Sequence, residues 1–130
     1  MLKTNVHPYV YMSKYAMKHF AEKAGEHSHR NALIYVSSLS SMGDLPYFTA
    51  YAGTKTHNYI TARLVNSACK KSSQLKDLVE VQTLHPGAVS TNLCHFAPLD
   101  FDVVTTDACV KPALCDLGMN RMSINGAFPH

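Results

Sequence analysis

Two patterns that often reveal a function are missing from this 130-residue sequence: a glycine-rich loop and closely spaced metal ligands. Its six glycines never form Gly-x-Gly-x-x-Gly, the turn whose backbone amides hold a dinucleotide's pyrophosphate. Its four cysteines form no Cys-x-x-Cys pair, and its eight histidines have no partner at zinc-site spacing. We therefore expect reduced thiols, typical of a cytosolic-facing protein, and no bound metal.

Charge is also scarce, and long apolar runs are absent. Only 16% of the residues are charged, the net charge is +3, and no basic stripe alternates with aromatic residues, so nucleic acid is not an expected partner. No apolar run approaches the ~18 residues of a membrane span, so we expect none in this chain. An apolar content of 46% instead indicates one globular domain.

The most informative pattern present is Tyr51–Lys55, a tyrosine and a lysine four positions apart. On a helix these side chains share a face, and the ammonium stabilises the phenolate by Coulomb attraction. Such a phenol can act as a general acid or base near neutral pH. With seven tyrosines and nine lysines, a chain of this length is expected to contain about 0.5 occurrences of Tyr-x-x-x-Lys by chance. The alternative interpretation is therefore an ordinary exposed pair on a helix.

The residues before Tyr51 make the pattern more specific. Ala32–Ser37 is a short run of β-forming residues that predicts a buried strand, and Ser38 follows it, 13 positions before Tyr51. A loop rich in turn residues separates the two. A strand that ends in serine, then a loop, then a helix with Tyr51 and Lys55 is a much rarer combination. The Ser38 hydroxyl would hold a carbonyl oxygen beside the phenol.

These features resemble the short-chain dehydrogenase/reductase family. The matching segments are Val36–Ser38, Tyr51–Lys55 and Leu84–Thr91, the last similar to the family's Pro-Gly-x-Val-x-Thr segment. Asn5, 33 positions before the strand-end serine, stands about where the family has a catalytic asparagine. The tail from Thr106 is similar to the branch of very-long-chain 3-oxoacyl-CoA reductases and related hydroxysteroid dehydrogenases.

The resemblance implies a catalytic set and a cofactor site. Tyr51 would protonate the developing alkoxide, Lys55 would acidify that phenol and bind the nicotinamide ribose, Ser38 would hold the carbonyl, and Asn5 would support a proton relay. The implied cofactor is NADP(H) in preference to NAD(H). Its implied contacts are Tyr51, Lys55, Pro86, Gly87, Val89 and Thr91.

Some of these assignments have structural alternatives. Asn5 is alternatively a polar residue near a helix start, and Thr91 a cap of a short helix. Three neighbouring serines compete with Ser38, which the 13-residue spacing to the tyrosine selects; they are Ser37, Ser40 and Ser41.

The order of elements predicts an α/β protein with a parallel sheet. We expect helices over residues 8–23 and 51–71, strands over 32–37 and 78–84, an irregular stretch over 88–104, a helix from Thr105 or Thr106 to Gly118, and a last short strand after the Asn125–Gly126 turn. By resemblance, residues 1–130 are a single partial domain, the C-terminal half of a Rossmann-type parallel sheet flanked by helices, without the first nucleotide-binding half.

The implied function is NAD(P)-dependent oxidation or reduction of a hydroxyl or carbonyl, on a 3-ketoacyl-CoA or steroid-like small molecule. We expect the chain to be a fragment that cannot act alone. The alternative is a non-catalytic remnant that associates with full-length relatives, because the helices near 8–23 and 51–71 are the usual dimer faces of the family. An epimerase or dehydratase of the extended family is a third possibility. Localisation stays open between the cytosolic face of the endoplasmic reticulum and the cytoplasm.

Overall fold

The computed structural model describes residues 1–24, 30–43, 46–95 and 103–124. Four helices and five strands occur in these ranges, with 3₁₀ turns at Leu39–Ser41 and Asn92–Cys94. In chain order, the elements are α1 (Leu2–Asn5), α2 (His7–Glu22), β1 (Asn31–Val36), α3 (Thr49–Lys71), β2 (Val79–Leu84), β3 (Ala88–Val89), β4 (Val103–Val104), α4 (Thr106–Cys115) and β5 (Met122–Ser123).

The main sheet has three parallel strands in the order β1-β2-β5. β1 and β2 pair along their whole length, from Asn31 opposite Val79 to Val36 opposite Leu84. β5 pairs only with the end of β2, where Thr83 lies opposite Met122. Parallel strands need crossovers, and helices provide them here, so the predicted α/β class with a parallel sheet flanked by helices is confirmed.

The helices lie on both faces of this sheet. The core lies on the α2 and α3 side, where α3 packs against β1 and β2 and Met17 and Phe20 of α2 join from beside it. On the other face, Gln82 Nε2 of β2 donates a hydrogen bond of 3.1 Å to the Ala113 carbonyl of α4. The buried core residues are Tyr35, Ala62, Cys69, Leu75, Val79 and Val81.

The predicted boundaries of the long elements are close to those observed, whereas those of the short elements are not. Residues 88–104 were expected to be irregular, but β3 and β4 form a parallel pair, with Ala88 opposite Val103. Two-residue strands are too short to show an alternating pattern, so this prediction was wrong.

The C-terminal elements also differ from expectation. α4 begins at Thr106, because the Thr105 hydroxyl accepts the amide of Ala108 at 3.1 Å, but it ends at Cys115 and not at Gly118. Pro112 lies inside this helix. β5 comes before the Asn125–Gly126 turn, and the strand predicted after that turn lies outside the described residues.

Among the described residues, Cys69, Cys109 and Cys115 are free thiols, of which the first two are buried. Within the described ranges, no helix combines the length and the apolarity that crossing a bilayer requires.

Candidate active site at the carboxyl end of the sheet

The candidate site begins where β1 and β2 end side by side. The Ser37 amide donates to the Leu84 carbonyl at 2.8 Å, and the Leu39 amide donates to the Pro86 carbonyl at 3.0 Å. These two bonds hold the Ser38 segment against the segment that follows β2. The carboxyl ends of parallel strands are the usual place for ligands in open α/β sheets.

The first turns of α3 pack against this strand end. Ser37 Oγ donates to the backbone carbonyl of Lys55 at 2.8 Å, and Lys55 Nζ donates to the Val36 carbonyl at 3.2 Å. The same Nζ lies 5.6 Å from the centroid of the Tyr51 ring. The expected pairing of Tyr51 and Lys55 on one helical face is therefore present, next to the residues that precede Ser38.

Lys55 is half-buried, and this burial lowers the pKa of its ammonium because desolvation penalises the charged form. One of its three N–H donors is used by the Val36 carbonyl. The remaining donors are available to the Tyr51 oxygen or to hydroxyl groups of a ligand.

Asn5 is tied to the same turn of α3. Its Nδ2 donates to Thr54 Oγ1 at 3.1 Å, and Thr54 Oγ1 donates to the Tyr51 carbonyl at 2.7 Å. Asn5 is the last residue of α1 and lies two positions before α2 begins at His7. Its side chain links the N-terminal helices to the helix of Tyr51 and Lys55.

Ser38 lies in extended backbone between β1 and a 3₁₀ turn. Its Oγ accepts the Ser40 amide at 3.2 Å, which leaves the hydroxyl proton for another acceptor. The competing serines have other bonding partners or are buried: Ser37 Oγ donates to Lys55, Ser41 Oγ donates to the Ser38 carbonyl at 2.6 Å, and Ser40 is buried.

Tyr9 is a site residue that the sequence reasoning missed. Its hydroxyl donates to the Val36 carbonyl at 2.9 Å, the same oxygen that Lys55 Nζ contacts. Burial raises the pKa of Tyr9, the bond to Val36 acts in the opposite direction, and nearby Tyr51 raises it further. Tyr9 is four residues after Asn5 in a nearly continuous helical stretch, so helical spacing was the signal that could have identified it.

His85, at the end of β2, was also missed. Its side chain is 0% exposed, and its ring meets the ring of Tyr59 edge-on at 5.0 Å. Nδ1 lies 3.3 Å from the Ser38 carbonyl and 3.1 Å from Ser41 Oγ, and we assign the Nδ1–H tautomer because Ser41 already donates to that carbonyl. Nε2 has no hydrogen-bond partner among the described residues. Burial lowers the pKa of His85, although the Ser38 bond acts against this.

The remaining predicted cofactor residues follow β2. Pro86 contacts the Ser38 segment through its carbonyl, and Gly87 comes next. Val89 belongs to β3, and Thr91 precedes the 3₁₀ turn at Asn92–Cys94 without a side-chain capping bond. In the described part of the chain, no hydrogen bond joins Val89 or Thr91 to Ser38, Tyr51 or Lys55.

The donor set fits one end of a dinucleotide. The Lys55 ammonium and the Tyr51 hydroxyl are suited to a ribose and a carbonyl, and they stand at the ligand-binding end of the sheet. The sequence offers no glycine-rich turn for the pyrophosphate.

Comparisons with known proteins agree with this geometry at the level of the fold. No family model and no curated protein matches the sequence. Among solved structures, a 7β-hydroxysteroid dehydrogenase superposes with a TM-score of 0.75 at 23% identity, over 97% of this chain and 48% of the dehydrogenase. ElxO, solved with NADP bound, superposes with a TM-score of 0.67 at 18% identity, over 96% of this chain and 54% of ElxO. The chain thus has the fold of one part of each protein and spans about half of their length.

Proposed function

We propose that residues 1–130 form the catalytic half of an NAD(P)(H)-dependent oxidoreductase of the short-chain dehydrogenase/reductase type. The observation that carries the proposal is the position of Lys55 Nζ, bonded to the Val36 carbonyl and 5.6 Å from the Tyr51 ring, at the carboxyl end of β1. The dehydrogenase and the NADP-bound ElxO among the structural neighbours support the same class of reaction.

In this proposal, the residues polarise and protonate a carbonyl. The Ser38 hydroxyl, whose oxygen already accepts the Ser40 amide, donates a hydrogen bond to the carbonyl oxygen of the substrate. Tyr51 transfers a proton to that oxygen as it becomes an alkoxide, and Lys55 stabilises the phenolate left behind. The nicotinamide supplies the hydride when bound. Asn5 keeps the Tyr51–Lys55 turn in place through Thr54.

The substrate and cofactor are narrower parts of the same proposal. A steroid-like or 3-ketoacyl-CoA carbonyl is the substrate, and the dehydrogenase neighbour favours the steroid-like one. NADP(H) is preferred over NAD(H), in line with the cofactor bound by ElxO. The nicotinamide end would lie along Pro86, Gly87, Val89 and Thr91.

The experiment that tests the proposal is a chimera in which these residues replace the matching part of the 7β-hydroxysteroid dehydrogenase. The chimera should reduce or oxidise a steroid substrate, and Tyr51→Phe should lower turnover by about 10²–10⁴. Tyr47→Phe is the matched control, because Tyr47 is fully exposed. Equal turnover of the Tyr51→Phe and Tyr47→Phe chimeras would refute the assignment.

The 130 residues alone should bind NADPH weakly, because the sequence contains no phosphate-binding turn. Quenching of NADPH fluorescence on titration with the purified chain measures this. A tight, stoichiometric endpoint would contradict it.

A second candidate function is association with a related chain or with another copy. Apolar side chains are exposed on the outer faces of α2 and α3, among them Tyr11, Met12, Tyr15, Ile60 and Leu64. β1 is an edge of the described sheet, and an open edge is a template for pairing. Light scattering after gel filtration tests this: a concentration-independent monomer would rule out self-association.

A further inference from the structure

A groove of about 670 Å³ lies on the α3 face of the sheet, away from Tyr51 and Ser38. One wall is the second half of α3, including Arg63 and Lys71, and the floor is Val81 and Thr83 of β2 with Met122 of β5. Within the described residues, α2 and α3 cover β1 and β2, whereas Met122 lies beside Thr83 on a part of that face that neither helix covers.

The groove carries an excess of positive charge. Its lining includes four cationic side chains. Within the described residues, one of them forms an ion pair: Lys70 Nζ lies 3.6 Å from the Glu80 carboxylate. Some cations elsewhere on the surface are neutralised locally; Lys111, for example, pairs with Asp107 at 2.9 Å. In the described part of the chain, the other three cations of the groove have no carboxylate within 4.0 Å; they are Arg63, Lys71 and Arg121.

Helix capping explains only part of this charge. Lys70 and Lys71 lie in the last turn of α3, where cations interact favourably with the helix dipole, and Lys70 Nζ also donates to the Lys76 carbonyl at 3.3 Å. That explanation does not extend to Arg63, two turns earlier, or to Arg121, which belongs to the segment before β5. Two separate parts of the chain therefore bring arginines to one groove.

The arginine on α3 is also held in place. The guanidinium carbon of Arg63 lies 5.7 Å from the centroid of the Tyr59 ring, a cation–π contact that limits the rotamers available to the side chain. A guanidinium has five N–H donors in a fixed plane and binds phosphate oxygens in pairs. The neighbouring floor of Val81 and Met122 is apolar and suits the carbon part of an organic anion.

We propose that this groove is a binding site for a soluble organic phosphate that carries at least two negative phosphate charges. Arg63 and Arg121 would both bind the phosphate oxygens, and Lys71 would add a further positive charge. Arg63 is 12 residues after Tyr51, about 18 Å further along the helix, so the proposal is independent of the oxidoreductase function.

Inorganic pyrophosphate is the probe, added to the ¹⁵N-labelled chain at low and constant ionic strength and followed by amide chemical shifts. We expect saturable shifts confined to residues 63–71 and 121–122. The Arg63→Gln/Arg121→Gln double variant should raise Kd about tenfold, the size expected for losing charge-assisted hydrogen bonds. Lys71→Gln should weaken binding less, because a lysine contributes a point charge only.

The matched control removes two charges elsewhere. Lys3 and Lys14 are exposed cations on α1 and α2, and the Lys3→Gln/Lys14→Gln variant should leave Kd within about twofold of the starting protein. Equal losses in the two double variants, or shifts spread over the whole surface, would mean nonspecific attraction and would overturn the proposal.

A second arm separates a soluble phosphate from a lipid headgroup. Vesicles of phosphatidic acid in phosphatidylcholine are sedimented with the protein, with and without pyrophosphate. We expect no sedimentation above that with phosphatidylcholine alone. Capture by phosphatidic acid together with no shifts from pyrophosphate would identify the groove as a lipid contact and would refute a soluble ligand.

Discussion

The two ends of α3 use polar side chains in opposite ways. At its N-terminal end, partly or fully buried polar side chains contact two backbone carbonyls, those of Val36 and Ser38. At its C-terminal half, Arg63 and Lys71 are exposed and face open solvent. In the functions proposed above, the first arrangement would hold a few atoms in place for chemistry, whereas the second would attract an anion by its positive charge without fixing its position closely.

The variant with the largest expected effect is Lys55→Met in the dehydrogenase chimera, which tests the N-terminal end of α3. Loss of the ammonium beside Tyr51 should lower turnover by about 10²–10⁴, because the phenolate loses its stabilising charge. Lys14→Met removes an exposed lysine of α2 and should leave turnover unchanged. Steady-state kinetics of the two variants decide the matter: if both retain full turnover, the buried end of α3 has no chemical role.

The next test concerns the packing under both ends. Leu75 follows α3 and is 4% exposed in the core, so Leu75→Ala should lower the free energy of unfolding by about 2–5 kcal/mol. Leu64 lies on α3 itself and is 66% exposed, so Leu64→Ala should change it by less than about 0.5 kcal/mol. Urea titration measures both changes. A large loss for Leu64→Ala would show that the outer face of α3 is covered in solution, as in an oligomer.

A third test uses pH. The pKa of His85 is lowered in the folded chain by burial, so the unfolded chain binds the proton more readily. Stability should therefore be full well above the unfolded pKa of ~6.5 and should fall as pH drops below it, by up to about 1.4 kcal/mol per pH unit.

His85→Gln should remove this part of the slope, and His19→Gln, an exposed histidine on α2, should leave it in place. Urea unfolding between pH 5 and pH 8 compares them. Parallel pH profiles for His85→Gln and the starting protein would show that the ring contributes nothing to acid sensitivity.

The smallest expected effect is that of Tyr9→Phe. It deletes one of the two donors to the Val36 carbonyl, so unfolding should become easier by about 0.5–1.5 kcal/mol. The remaining bond from Lys55 keeps that oxygen satisfied, which places the effect at the lower end. Tyr11→Phe, at an exposed position of the same helix, is the control, and thermal unfolding measures both. A loss above about 3 kcal/mol would mean that Lys55 does not replace the missing donor.

The long elements could be predicted from the sequence, because their patterns are local. The apolar periodicity of α3 and the β-forming runs of β1 and β2 placed these elements within two residues of their observed ends. The contacts of Lys55 with Tyr51 follow from helical spacing alone.

The features that the sequence did not predict depend on contacts between distant segments. Tyr9 meets Val36 across 27 residues, and His85 meets the Ser38 carbonyl across 47. A backbone carbonyl leaves no mark in a sequence, so neither partner could be identified from residue types. The groove of Arg63 and Arg121 depends in the same way on β5 pairing with β2.

The Val36 carbonyl, which accepts hydrogen bonds from both Tyr9 and Lys55, also limits how a further strand can pair with β1. Asn31 and Ser37 donate their amides to the β2 side, so by alternation the carbonyl of Val36 points away from β2, toward the outer edge of β1. Tyr9 and Lys55 take both of its lone pairs. A strand that pairs with this edge could form backbone hydrogen bonds with Ala32 and Ile34 but not with the Val36 carbonyl. The Tyr9 and Lys55 side chains would thus end the pairing at Val36 and keep an added strand away from the space around Tyr51.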